Sequence, residues 1–421
     1  MRWKSCGALG LCVLAVVGAG CGSSSDDSGG GGASASASTG GKKLSGPPIK
    51  VMVSAPINAP AYAYPQIYDT VQAGIDGINR RGGIKGSKIV LSKCDNGNDP
   101  NKAAQCAQQA VKEGDIALVG PYALIGGAGF YPVIEAAKIP MVGNGPTVPQ
   151  DWTSKYAFPV AYSPQAYVAG PPVAMAREGC KKITTTGFED KAYDPYFAFA
   201  KAGIAYAKAQ FAGEARFAAN ATDFTPVVQK AIGQGADCIM TLGPDQATAP
   251  LLRAIKTSGK DLKLGGLTHI SDPLPELGKQ LDGSPLAAPH PDPTLDPAPD
   301  APALMKRYAD DMKADSFTDP KELVLQGFSQ WLGTQLFEQA ANTIPAGKVT
   351  KETLFDALNK TVFDPVGVAG KSDFTQPSPV KATPRMSNYT MFLKVVKDGK
   401  AVLLSGENPV DLTRLFEGLQ K

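Results

Sequence analysis

Ile78-Asn79-Arg80-Arg81-Gly82-Gly83-Ile84-Lys85-Gly86 is the stretch on which the reading of this chain turns. Its glycines permit the positive φ values of a tight helix exit, and the apolar Ile84 among them can plug beneath the turn. Upstream, Ile67, Val71, Ile75 and Ile78 recur at helical spacing and predict a helix over residues 66–80. Residues 49–54 before that helix and 88–92 after the turn read as β-strands. Strand, helix, turn and strand make one unit of a parallel sheet.

The unit repeats outward from there. Helix 101–113, strand 116–120, helix 128–137 and strand 140–142 complete a first series. After Tyr162 a second series reads as helix 164–177, strand 182–186, helix 193–211, strand 215–219, helix 225–233, strand 238–242, helix 246–257 and strand 263–268. Strands alternating with helices call for parallel sheets covered on both faces, and two series call for two doubly wound lobes. Residues 284–302 carry seven prolines without periodicity and read as a loop or crossover. Helices over 301–313, 320–341 and 351–358 follow, then a β-type run over 389–396 with a turn at Asp398-Gly399.

Composition limits what such a fold can do. The 421 residues allow two or three domains, and 43% hydrophobic with 19% charged residues exclude a wholly disordered chain. Lysine plus arginine is 42 against 39 acidic residues, too balanced for a nucleic-acid binder. His269 and His290 are the two histidines, too few for a multi-histidine metal site, so no metal is expected. No GxSxG elbow, HExxH or glycine-rich phosphate loop occurs, which weighs against an enzyme and implies no cofactor.

The first twenty residues read as an export signal: Arg2 and Lys4, an apolar run over 9–17, then Gly18, Ala19 and Gly20 before Cys21. The run is too short to span a membrane. Cys21 after these small residues resembles the lipobox of bacterial lipoproteins, which implies a lipid-anchored thiol; an ordinary signal peptide cleaved elsewhere is the alternative. Residues 21–48 are rich in Ser, Gly and Ala and read as a flexible tether of roughly 28 Å span. Four cysteines then remain for the folded part, Cys94, Cys106, Cys180 and Cys238, and three pairings are open. We expect Cys94 with Cys106, on a strand and the helix after it, and Cys180 with Cys238, beside neighbouring strands. Buried free thiols are the alternative.

The glycine turn looks like a hallmark of branched-chain-amino-acid-type periplasmic binding proteins, the type I solute receptors of ABC importers. Cys94-Asp95 followed by Asp99-Pro100, Leu118-Val119-Gly120-Pro121, Ile139-Pro140, Thr225-Pro226-Val227-Val228 and Gly235-Ala236-Asp237 extend the likeness in the family's order. The resemblance implies two α/β lobes joined by three crossovers with the ligand in the cleft. Lobe one would be 49–161 with 290–383, and lobe two 162–289 with 386–421.

Carried onto this chain, the resemblance assigns ligand contacts to two lobe-one loops. One holds Tyr122, Ala123 and Leu124, and the other Gly145 and Thr147. Where relatives commonly have serines the first loop has Ala123 and Leu124, leaving backbone groups and the Tyr122 hydroxyl. Tyr62 or Tyr64 takes the place of an aromatic pocket wall. From lobe two come Tyr193 and an acid, Asp245 or Asp272, with His269 beside the latter. Helix capping is an equal alternative for each acid, and ordinary packing for Tyr62, Tyr64 and Tyr193. The implied function is capture of a small polar organic molecule, an amino acid, amide or related metabolite, by cleft closure, and delivery to a permease. The folded domain would stand outside the membrane on its lipid. A surface lipoprotein that senses a ligand and signals to a membrane receptor is the competing reading.

Overall fold

In the computed structural model, which describes residues 44–59, 62–268, 274–319 and 323–419, the glycine turn closes as its residues require. Helix Gln66–Arg80 ends at Arg81, and Gly82 and Gly83 adopt φ of 113° and 60°. A side chain on Gly83 would meet the Ser87 carbonyl oxygen at 2.2 Å, so glycine is needed for space as well as for φ. Ile84 is buried and bridges to Ser87. Arg81 reaches Asp311 at 2.7 Å, and the Trp331 indole donates to the same carboxylate at 3.1 Å. The turn thereby binds the first helix to helices Ala303–Ala314 and Leu325–Ala341, far along the chain.

Five strands, β1 (Gly46–Ala55), β2 (Ser87–Asp95), β3 (Leu118–Val119), β4 (Met141–Val142) and β5 (Ala157–Phe158), form an all-parallel sheet in the order β2-β1-β3-β4-β5. Val51, Met52 and Val53 of β1 are all buried, as expected of a strand covered on both faces. The strand starts at Gly46, inside the stretch read as tether. The second sheet begins with β6 (Lys182–Thr186), β7 (Gln210–Glu214), β8 (Cys238–Thr241), β9 (Lys263–Gly266) and β10 (Pro285–Ala288). The pair β11 (Val362–Phe363) and β12 (Ser372–Asp373) stands apart, and β13 (Thr390–Lys397), β14 (Lys400–Leu403) and β15 (Val410–Asp411) return to the second sheet. Its order is β14-β13-β10-β9-β8-β6-β7, with β6 to β10 mutually parallel and β13 and β14 antiparallel.

Three local expectations are corrected. The helix read over 164–177 is two, Pro164–Ala169 and Pro171–Arg177, because Pro171 and Pro172 lack the N–H groups that would continue the ladder. Helix Asp194–Tyr206 stops short of 211, Lys208 turns left-handed at φ 58°, and β7 starts at Gln210 rather than 215. Residues 285–288, read as loop, are β10, with its proline at the first strand position where no ladder donor is needed. β5 is two residues long and left no pattern to read.

Both expected disulfides are present, Cys94–Cys106 with Cα atoms 5.6 Å apart and Cys180–Cys238 with 5.8 Å. The chain passes between the sheets after β5, after β10 and before β13. Asn388 stitches the first and third passages, its amide donating to Val160 O at 3.2 Å and Ala161 O at 2.9 Å while its own carbonyl accepts from Ser163 N at 2.9 Å. At the second passage, buried Lys394 of β13 bonds Asp292 at 2.5 Å. Among the described residues no helix is long and apolar enough to cross a membrane. The export signal, Cys21 and the tether up to residue 43 lie outside the described residues.

Candidate functional site

Loops leaving the C-terminal ends of the first sheet build one wall of the site, the usual place for ligands in open α/β sheets. Asp95, at the end of β2, accepts from Ile57 N at 2.9 Å, Asn58 N at 3.1 Å, Asn58 Nδ2 at 2.8 Å and Gly97 N at 2.9 Å. Burial pushes its carboxyl up, but these donors outweigh it and hold the group below the usual range. Asn96 donates to Ser54 Oγ at 3.1 Å and Tyr122 O at 2.9 Å. Asn98 donates to Tyr62 O at 3.0 Å and accepts from Leu124 N at 2.9 Å. Two asparagines thus knit three loops. Tyr62 is held there at φ 56°, a left-handed backbone that bulky residues avoid unless the surroundings dictate it.

The loop after β4 is organised by Asp151. This carboxylate is buried and accepts from the Tyr131 hydroxyl at 2.5 Å, Asn144 Nδ2 at 3.0 Å, Thr147 N at 2.8 Å and Val148 N at 2.8 Å. Burial pushes its carboxyl up, against the pull of those four donors. Thr147 donates its hydroxyl to Ala123 O at 2.7 Å, and Gly145 N donates to Pro121 O at 3.0 Å. A side chain on Gly145 would strike the Tyr122 ring at 2.3 Å, so the glycine lets that ring lie flat on the loop.

The facing wall is aromatic. Tyr193 and Tyr196 open helix Asp194–Tyr206 with ring centroids 5.4 Å apart, and Phe188 stands edge-on to Tyr193 at 5.0 Å. Tyr162, on the first passage, tilts against Tyr167 at 5.1 Å, and the Tyr167 hydroxyl bonds that of Thr268. On the opposite side Tyr64 meets Tyr122 edge-on at 5.5 Å. The walls approach each other: Tyr193 lies within electrostatic reach of Tyr62, and Tyr122 within that of Tyr162, Tyr64, Tyr167 and Tyr196. Burial raises the phenols of Tyr122, Tyr162, Tyr193 and Tyr196, so all stay protonated at neutral pH.

Of the residues singled out in the sequence, Tyr62, Tyr64, Tyr122 and Tyr193 come together. Gly145, Thr147 and Leu124 lie on the first wall with their N–H groups engaged by their own chain. Asp245 begins the short turn Asp245–Ala247 after β8, where Pro244 takes the capping position. His269 and Asp272 lie outside the described residues. Sequence reasoning missed Tyr162, Tyr167, Tyr196 and the organising Asp151, Asn96 and Asn98. The i, i+3 spacing of Tyr193 and Tyr196, which places both on one helix face, was an available signal. Among the described residues, Cys180, Asp237 and Cys238 approach metal-ligand proximity, but their sulfurs are joined to each other.

Residues 48–400 match the family described as periplasmic binding protein. The Leu/Ile/Val-binding protein BraC3 of Rhizobium johnstonii is 35% identical over 74 residues, 17% of this chain and 20% of that protein. Leu/Ile/Val-binding protein homolog 3 of Brucella melitensis is 34% identical over 73 residues, again 17% and 20%. The chain therefore aligns with about a fifth of the length of these curated relatives. A solute binding protein of an ABC transporter from R. palustris, solved with 4-hydroxybenzoate, superposes with TM-score 0.68 at 19% identity, covering 86% of this chain and 97% of that one. The substrate binding protein LivJ from Streptococcus pneumoniae, solved with isoleucine, gives 0.65 at 17% identity, covering 86% and 99%. At such identities the likeness is one of fold.

Proposed function

Because the chain belongs to the periplasmic binding protein family, we propose that it is the extracytoplasmic receptor of an ABC importer, exported and anchored through a lipid on Cys21. It captures a small polar organic molecule, an amino acid, amide or related metabolite, and presents it to the permease without a catalytic step. The observation that carries this reading is the approach of Tyr62, on a loop of the first sheet, to Tyr193, at a helix start of the second. A ligand seated there touches both halves at once, contacts that an open cleft cannot offer, and so shifts the hinge equilibrium toward the closed form. We assign Tyr62, Tyr64, Tyr122, Leu124, Gly145, Thr147 and Tyr193 to this pocket, and on the family likeness alone Asp245, His269 and Asp272 as further ligand contacts.

A thermal-shift screen of small metabolites on the full chain tests the proposal. A ligand at 100 times its dissociation constant adds about 2.7 kcal/mol of stability. X-ray scattering should then show a smaller radius with ligand bound, and Tyr193→Ala should weaken binding. Binding without compaction would remove the clamp. Replacing Cys21 by Ser should abolish lipid attachment, and a Cys21→Ser protein that still carries covalent lipid would refute the anchor.

A further inference from the structure

A cavity of about 460 Å³ lies outside the cleft, walled by the first half of the molecule alone. One side is the opening face of helix Gln66–Arg80, where Gln66, Asp69 and Gln72 recur at helical spacing behind Pro65. The other side is the exit of helix Ala303–Ala314, made by Asp315, Ser316 and Phe317. The volume is that of a small-molecule pocket.

The helix exit carries a residue that its backbone does not ask for. Ser316 N donates to Lys313 O at 3.1 Å and Phe317 N to Met312 O at 3.1 Å, a helix ending whose left-handed position ordinarily takes glycine or asparagine. Ser316 holds that position at φ 68°, exposed and on the cavity wall. Beside it Phe317 is half-buried, an aromatic ring where any apolar residue would close the turn.

The charges of the wall cancel. Asp315 pairs with Arg80 at 2.6 Å and Asp69 faces Lys93 at 3.8 Å, so no surplus is left for a cation, while the two carboxylates turn away an anion. Hydrogen bonding remains. Gln66 Oε1 is buried without a partner among the described residues, and the Gln72 amide nitrogen is spent on Asp76 at 2.9 Å, leaving its carbonyl oxygen to accept. The cavity thus asks for a neutral molecule that donates several hydrogen bonds and carries an apolar face.

We propose that this cavity is a second binding site, separate from the cleft, for a hexose ring. Sugar hydroxyls donate to Gln66, Gln72 and the second carboxylate oxygens of Asp69 and Asp315, the Ser316 hydroxyl answers from the helix exit, and the C–H face of the sugar lies on Phe317. A free sugar and the end of a glycan present the same chemistry.

Saturation-transfer NMR on the full chain with glucose, galactose and N-acetylglucosamine, together with retention on cellulose and chitin, tests the site. The expected result is saturable millimolar binding of a free sugar with no change of radius by scattering. Retention on a polymer that the free sugar releases assigns the site to a glycan end, and free binding without retention assigns it to soluble sugar. Ser316→Gly relieves the left-handed backbone, so it should raise the denaturant midpoint while lowering sugar affinity about threefold; a merely structural serine gives the first effect alone. Phe317→Leu keeps the turn closed and should lower affinity roughly tenfold. Tyr193→Ala, in the cleft, should leave sugar binding as it is. Absence of saturable binding for all three sugars, or full affinity in both Ser316→Gly and Phe317→Leu, overturns the site. Sugar binding that compacts the molecule, or that Tyr193→Ala abolishes, belongs to the cleft; it overturns the second site and leaves the receptor standing.

Discussion

The loop after β4 and the start of helix Asp194–Tyr206 face one cleft from opposite halves and are held by opposite means. The loop hangs on a buried carboxylate, Asp151, with four donors between 2.5 and 3.0 Å. The helix start rests on rings, Phe188 against Tyr193 at 5.0 Å and against Phe217 at 5.2 Å, with an exposed Asp190 accepting from Ala192 N at 2.8 Å. Hydrogen bonds in a dry site demand one geometry, whereas ring contacts tolerate small slips. One wall of the cleft is therefore fixed and the other adaptable.

Removing the keystone should break the contrast most directly. Asp151→Ala strands four donors in the interior, and we expect a loss of about 5 kcal/mol in urea unfolding; a loss below about 2 would show that the loop does not depend on the carboxylate. The disulfides extend the comparison to covalent links. Replacing Cys180 and Cys238 by serine reopens a separation of 58 residues and should cost about 4 kcal/mol, against about 3 for Cys94 and Cys106 at a separation of 12. The reverse order in denaturant midpoints would mean that chain entropy does not govern these bonds.

His290, at the second passage, gives an effect of similar size that depends on pH. Burial lowers its imidazole from 6.5 to about 4, so as pH falls the unfolded chain takes up the proton first. Its contribution is intact above about pH 6.5, and about 3 kcal/mol should drain away as pH drops to about 4. A His290→Asn protein should lack that slope in acid unfolding curves. On the ring-held side, Tyr193→Ala should cost about 2 kcal/mol at most, because the side chain is half-buried. The smallest effect should be Arg216→Ala, below about 1 kcal/mol and fading with added salt, since Asp194 is exposed and Glu214 half-buried at the surface.

Elements whose signals were local could be read from the residues alone. Helix Thr225–Gly233 and helix Lys351–Leu358 begin and end where their patterns do, and the hairpin of β13 and β14 turns at Asp398-Gly399. The break at Gly170-Pro171-Pro172 was hidden because Ala166, Val168, Ala169, Val173 and Ala174 keep the interior face apolar across it. β10 was masked by its proline-rich neighbourhood, and it is a strand because β9 and β13 flank it. In the site, the aromatic residues nearest the recognisable loops were legible. Asp151 was not, because a carboxylate that organises a loop looks in sequence like any helix-start acid, and only its burial and four donors distinguish it.

Asn388 has a mechanical meaning beyond its bond count. By lacing the first and third passages together it makes them a two-ply ribbon, in which neither ply can twist without the other. A ribbon is stiff in its own plane and pliant across it, and Lys394 with Asp292 pins the remaining passage to the end of the same strap. If the halves close on a ligand as proposed, this lacing leaves them one easy direction of bending, like the spine of a book. A substitution at Asn388 would free the covers to skew before it loosened either of them.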